Sequence, residues 1–87
     1  MNRNLVAVLA KVLGLKDPEI HPDLSMRDVR GWDSLMQMDL VLTLEREYAT
    51  NLQIVDIMRI ESVRSVIEIL KEKGVALNGK PEKMPLT

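Results

Sequence analysis

Apolar residues recur at helical spacing in three separate stretches of this chain, and no stretch alternates apolar with polar residues as a half-buried strand requires. In "NLVAVLAKVL", residues 4–13, Leu5, Leu9 and Val12 stand at i, i+4 and i+7, with Val6, Val8 and Leu13 beside them and Gly14 following as a stop. In residues 34–48, Leu40, Leu44 and Tyr48 form an i, i+4, i+8 stripe supported by Val41. From Ser62, "SVRSVIEILKEKG" puts Val63, Val66, Ile67 and Leu70 on one face, with Lys71 and Lys73 in the last turn and Gly74 at the end. Ahead of it, "IVDIMRI" is long enough for a turn or two of helix, and its Ile54, Val55, Ile57, Met58 and Ile60 are expected to be mostly core, though a short helix cannot bury all five. The pattern predicts an all-α four-helix bundle with a long first loop and a short third helix.

A chain of 87 residues is enough for one small domain and too short for two. That domain is expected over residues 1–74. The stretch from Val75 to Thr87, with Gly79, Pro81 and Pro85 and little apolar content, is expected to be a mobile, dispensable tail. With no Phe, one Trp and one Tyr, the core must be built from Leu, Val, Ile and Met. There is no Cys, hence no disulfide, thiolate metal site or cysteine nucleophile, and the lone His21 cannot form a histidine cluster. No metal site is expected, and any thiol chemistry needs a borrowed thiol. The N-terminal residues lack the basic start, unbroken apolar block and cleavage site of a secretory signal, and no stretch reaches membrane-spanning length; the cytoplasm is the expected location.

Twelve basic and 13 acidic residues leave a net charge of −1, which argues against nucleic acid as a partner because neutralising phosphates takes a basic surplus. The charge is uneven. Residues 33–61 hold Asp33, Asp39, Glu45, Glu47, Asp56 and Glu61 against Arg46 and Arg59, a local −4, so a partner that reads charge should read this middle segment. Carboxylates on a solvated helix without a pocket are a charged face rather than an acid catalyst, and His21, beside Pro22 in a turn, reads as a surface residue.

The loop from Leu15 to Trp32 carries Pro18, Pro22, Asp17, Asp23, Ser25 and Gly31, with Ile20, Leu24, Met26 and Val29 to pin it, and connections this long in so small a domain are often functional. It leads into "GWDSLMQMDL", residues 31–40. Ser34 with Gln37 three residues on fits a capping box, and Asp33 suits a positive helix end. Against a purely structural role stands a second apolar stripe, Leu35, Met38 and Leu42, on a different side of the same helix from Leu40 and Leu44. A helix in a small bundle needs one buried stripe, so the second either packs under the loop or forms a docking surface contiguous with Ser34.

"GWDSLMQMDLVLTLEREY" resembles the modification site and second helix of the acyl carrier proteins, whose signature is a Gly, a variable residue, then Asp-Ser-Leu at a helix start. The resemblance covers roughly residues 3–73 and includes the apolar first helix, the long loop with "LSM" and Val29, Glu47 and Tyr48 at the end of the second helix, and the last helix introduced by "ESV". It implies that Ser34 is the attachment point of 4′-phosphopantetheine, transferred from coenzyme A by a phosphopantetheinyl transferase, and that the prosthetic thiol carries acyl groups as thioesters. The borrowed thiol would then arrive after translation. The resemblance also implies that Asp33 and Leu35 belong to the attachment site. Asp33 reads structurally as a cap and, through the family, as a residue that docks the transferase and orients the metal-bound donor. Asp39 and Glu45 match acidic positions that meet basic patches on partner enzymes, and the exposed candidates Met38 and Leu42 would join them.

Several positions depart from the common pattern. Met36 stands where an acid is usual after Asp-Ser-Leu, Arg46 interrupts the acids at the helix end, Arg27 and Arg30 add positive charge ahead of the site, and the third-helix region, usually acidic, is apolar. These point to a specialised partner set, synthase or acyl-transferring enzymes with basic or apolar docking patches. Trp32, in the variable position, reads as packing on the loop. The expectation is a discrete, monomeric carrier, not an enzyme, serving fatty-acid, polyketide or related specialised biosynthesis. A carrier of aminoacyl groups shares the same serine and bundle, and an unmodified helical adaptor, with Ser34 only a cap, is the reading from a different class.

Overall fold

Asn2 begins the first helix: its side-chain oxygen accepts the Leu5 backbone N–H at 2.9 Å, which satisfies one of the donors a helix start leaves unpaired. Helix α1 (Arg3–Leu13) ends at Gly14, whose φ of 71° turns the chain left-handed at no steric cost. The computed structural model describes residues 2–75 and Leu77. After α1 come a long connection, helix α2 (Ser34–Tyr48), the short helix α3 (Ile54–Met58) and helix α4 (Val63–Glu72). These four helices, and no strand among the described residues, make the expected all-α bundle.

The long connection holds two single turns of 3₁₀ helix, Asp17–Glu19 and Met26–Asp28. Each closes on itself: Glu19 accepts from the Lys16 backbone at 2.8 Å, and Asp28 accepts from both the backbone and the hydroxyl of Ser25 at 3.0 Å. Its apolar residues Ile20, Leu24, Val29 and Trp32 are all buried, so the loop covers one side of the bundle instead of standing away from it. Backbone bonds stitch it to the start of α4, from Met26 N–H to Glu61 C=O, Val63 N–H to Leu24 C=O and Arg64 N–H to Pro22 C=O, each 2.9 Å.

Leu5, Leu9 and Leu13 from α1, Leu40, Val41 and Leu44 from α2, and Val63, Val66, Ile69 and Leu70 from α4 form the core. The first stripe of α2 lies where its spacing puts it, with Tyr48 half-buried at its end. On α4 the buried face is turned slightly from expectation: Ile69 is buried and Ile67 only partly so. The larger departure concerns α3. Only Ile57 and Ile60 pack inward, while Ile54, Val55 and Met58 are exposed, because a five-residue helix has one inward face and no second neighbour to cover the rest. Val75 packs partly and Leu77 is buried against the bundle; the remainder of the expected tail lies outside the described residues.

Candidate functional site

Gly31 sets the approach to α2. Its φ of 89° lies in the left-handed region that side chains disfavour, and the turn closes with the Asp33 N–H on the Gly31 carbonyl at 2.8 Å. Trp32 then points into the core, as expected of a residue packing on the loop, and its indole Nε1–H donates to Gln37 Oε1 at 2.8 Å. Asp33, in extended backbone, is the cap: its carboxylate accepts the Met36 N–H at 3.0 Å and its carbonyl accepts the Gln37 N–H at 2.8 Å.

The capping-box reading of Ser34 is therefore corrected by one residue. Ser34 is the first residue inside the helix, exposed, and its hydroxyl makes no hydrogen bond among the described residues. Gln37 does not reach back to it; its side-chain amide donates to the carbonyls of Ile57 at 3.3 Å and Ile60 at 3.0 Å. Sequence reasoning missed this role, since nothing in the spacing of Gln37 points to carbonyls twenty residues away. A single side chain joins the loop at Trp32, the first turn of α2 and the end of α3.

Leu35 is 80% exposed, and Met38 and Leu42 also lie at the surface, so the second stripe of α2 faces outward. Asp39 is exposed beside them. Glu45 is half-buried and already engaged: its carboxylate accepts the Leu52 N–H at 2.8 Å and fixes the turn between α2 and α3. Glu47 accepts from Asn4 Nδ2 at 3.2 Å, and the Tyr48 hydroxyl donates to Asn4 Oδ1 at 2.6 Å, so the end of α2 is fastened to α1. Val12, Gly31, Asp33, Leu35, Met36 and Asp39 line an open depression on the side of Ser34 nearest α1. His21 is exposed in the loop.

The acids of the middle segment are not equally available. Asp56 is 7% exposed, with Lys73 Nζ at 2.7 Å, the Gln53 N–H at 3.0 Å and Arg59 Nη1 at 3.9 Å. The hydrogen bond from Lys73 is the main cause that holds its carboxyl below the ordinary carboxylate range, reinforced by the Gln53 N–H. Arg59 in turn binds both oxygens of Glu72 at 2.7 and 2.8 Å, which lowers that carboxyl as well. The hint in the sequence was an acid inside an otherwise apolar "IVDIM", but its lysine partner, the residue that ends α4, carries no local signal.

Chemically, the start of α2 presents a primary hydroxyl at a positive helix end, where the N–H groups of Ser34 and Leu35 find no acceptor among the described residues. No base is hydrogen-bonded to that hydroxyl among the described residues. An exposed alcohol beside a helix N-terminus fits a phosphodiester, whose charge the helix end favours and whose bulk meets no neighbour. Among the described residues no group of three or more His, Cys, Asp or Glu could hold a metal ion, and no helix is long and apolar enough to cross a membrane. The family model described as "Phosphopantetheine attachment site" matches residues 3–70, from the start of α1 to the last turn of α4.

Proposed function

This chain belongs to the phosphopantetheine attachment-site family, whose members bear 4′-phosphopantetheine covalently, and on that footing we propose that it is a discrete acyl carrier with the group on Ser34. The observation that carries the assignment to Ser34 is the division of labour at the start of α2. Asp33 caps the helix, which leaves the Ser34 hydroxyl exposed and without an intramolecular partner. An adaptor in which Ser34 is only a cap is disfavoured for the same reason.

When bound, the group supplies the terminal thiol, absent from a chain without Cys, that holds acyl groups as thioesters. The chain's own residues do the rest. Asp33 and Gly31 fix the helix start so that Ser34 Oγ faces an incoming enzyme, and the positive helix end lowers the cost of a phosphodiester there. Leu35, Met38, Asp39 and Leu42 form the surface around it, and Glu45 holds the turn between α2 and α3. The protein catalyses no step itself; a phosphopantetheinyl transferase and the acyl-transferring or synthase enzymes of fatty-acid, polyketide or related biosynthesis do so. It works as a monomer in the cytoplasm.

The test is the mass of the chain purified from its own cells. A phosphopantetheinyl adduct bearing an acyl group that hydroxylamine removes is the expected result. An amino acid in place of the acyl group would assign the chain to the aminoacyl carriers, and the absence of any adduct would contradict the proposal.

A further inference from the structure

The turn that carries Ser34 is closed by side chains from both ends. Trp32 Nε1–H, two residues before the serine, donates to Gln37 Oε1, three residues after it, at 2.8 Å, so residues 32–37 form a ring that the helix's own backbone bonds do not supply. Asp33 caps the inside of that ring through the Met36 N–H. Gln37 is held at its other end too: its Nε2 donates to the carbonyls of Ile57 at 3.3 Å and Ile60 at 3.0 Å. The amide spends its acceptor on the loop and both donors on the end of α3.

α3 depends on such contacts. Five residues make less than two turns, far below the length at which a helix holds by itself in water. Its other polar tethers lie on the α4 side, where Lys73 holds Asp56 at 2.7 Å and Glu72 holds Arg59. Undocking α3 takes two acceptors away from Gln37, and a side chain released at one end holds Trp32 less firmly at the other. The local opening of α3 is thereby coupled to the ring around Ser34.

We propose that Gln37 is a positioning residue for the modification of Ser34, holding the serine's turn in one geometry so long as α3 is docked. The proposal rests on Ser34 being the attachment point. In that reaction Ser34 Oγ forms a bond to the β-phosphorus of coenzyme A as the phosphoanhydride bond breaks; adenosine 3′,5′-bisphosphate leaves with the electron pair, and the hydroxyl proton passes to a base of the transferase. Gln37 bonds none of these atoms. It acts through the ring, by limiting where Oγ sits when the two proteins meet, and a reacting atom misplaced by about 1 Å costs up to ~100-fold.

The experiment measures transfer from coenzyme A to the apo chain by a broad-specificity phosphopantetheinyl transferase, for the parent, Gln37→Met, Gln37→Glu and Ile69→Val, at a temperature where melting curves show all four folded. Gln37→Met keeps the length of the side chain and loses every bond. Gln37→Glu keeps an acceptor for Trp32 but, ionised, has no donor for the two carbonyls and turns a charge on them. In both, kcat should fall about tenfold, as a misplaced nucleophile implies, while KM for the carrier stays within about twofold because the exposed surface is unchanged. Ile69→Val truncates the core within α4 and involves no polar atom; it should melt below the parent and keep the parent's kcat. The emission of the single Trp should shift in Gln37→Met and not in Ile69→Val, a sign of the opened ring that needs no transferase. An unchanged kcat in either Gln37 variant, unchanged emission in Gln37→Met, an equal fall of kcat in Ile69→Val, or a change confined to KM would overturn the inference. A parent chain that is never modified at Ser34 would instead overturn the attachment reading on which the inference stands.

Discussion

Ser34 and Asp33 are adjacent, and both residue types cap helices, so either could have held the first turn of α2. Geometry assigns the cap to Asp33, whose carboxylate meets the Met36 N–H, and leaves Ser34 one position inside. Asp33→Ala should accordingly cost about 0.5–2 kcal/mol in denaturant unfolding, the usual loss for a side-chain cap, while Ser34→Ala should change stability by only a few tenths. The sequence showed that a helix begins here but left the frame open, because Ser-x-x-Gln is as good a capping pattern as Asp followed three residues later by Met. A second residue-scale consequence lies at the other end of α2. Ala49 closes the helix at φ 49° and ψ 47°, a left-handed conformation that penalises any Cβ. Ala49→Gly should raise stability by about 0.5–1 kcal/mol, read from the unfolding midpoint.

Among the elements, α3 is held mainly by polar contacts, and this is where the sequence was least legible. A run of five apolar residues reads as core, yet which of them turn inward depends on Gln37, Lys73 and Glu72, residues distant in the chain. Gln37→Ala would strand the half-buried indole N–H of Trp32 and free two carbonyls of α3. The expected loss is about 1–3 kcal/mol, and the emission of the single Trp should shift as its surroundings loosen. Acid should act on the same element. Asp56 is held below its ordinary pKa when folded, so its contribution is present above about pH 4, where the unfolded chain would also be ionised, and is lost as pH falls through the folded value. Asp23, lowered by Arg64, Asp28, lowered by Ser25, and Glu72 share this direction, so Asp56→Asn should flatten part of the acid limb of a stability-against-pH curve and not all of it.

At the scale of the whole molecule, the bundle was readable because its core residues carry their own period. Leu5, Leu9, Leu40, Leu44, Val63, Val66 and Leu70 are all buried where the spacing places them. The same periodicity separated the two stripes of α2. Leu40→Ala or Leu44→Ala should cost about 2–5 kcal/mol through lost burial and a residual cavity, a large share of the stability of so small a domain. Met38→Ala and Leu42→Ala should leave the melting transition nearly unchanged, since both side chains already meet water and Ala favours the helix. In a bundle fastened at its core and open along α2, we propose, the exposed Ser34 hydroxyl is the one that takes phosphopantetheine. That central claim is tested most directly by incubating the chain and its Ser34→Ala variant with coenzyme A and a phosphopantetheinyl transferase and measuring intact mass. The account predicts a single phosphopantetheinyl addition on the parent, mapped to Ser34, and none on a variant that melts like the parent. Addition to another residue, or an equally modified Ser34→Ala chain, would contradict it.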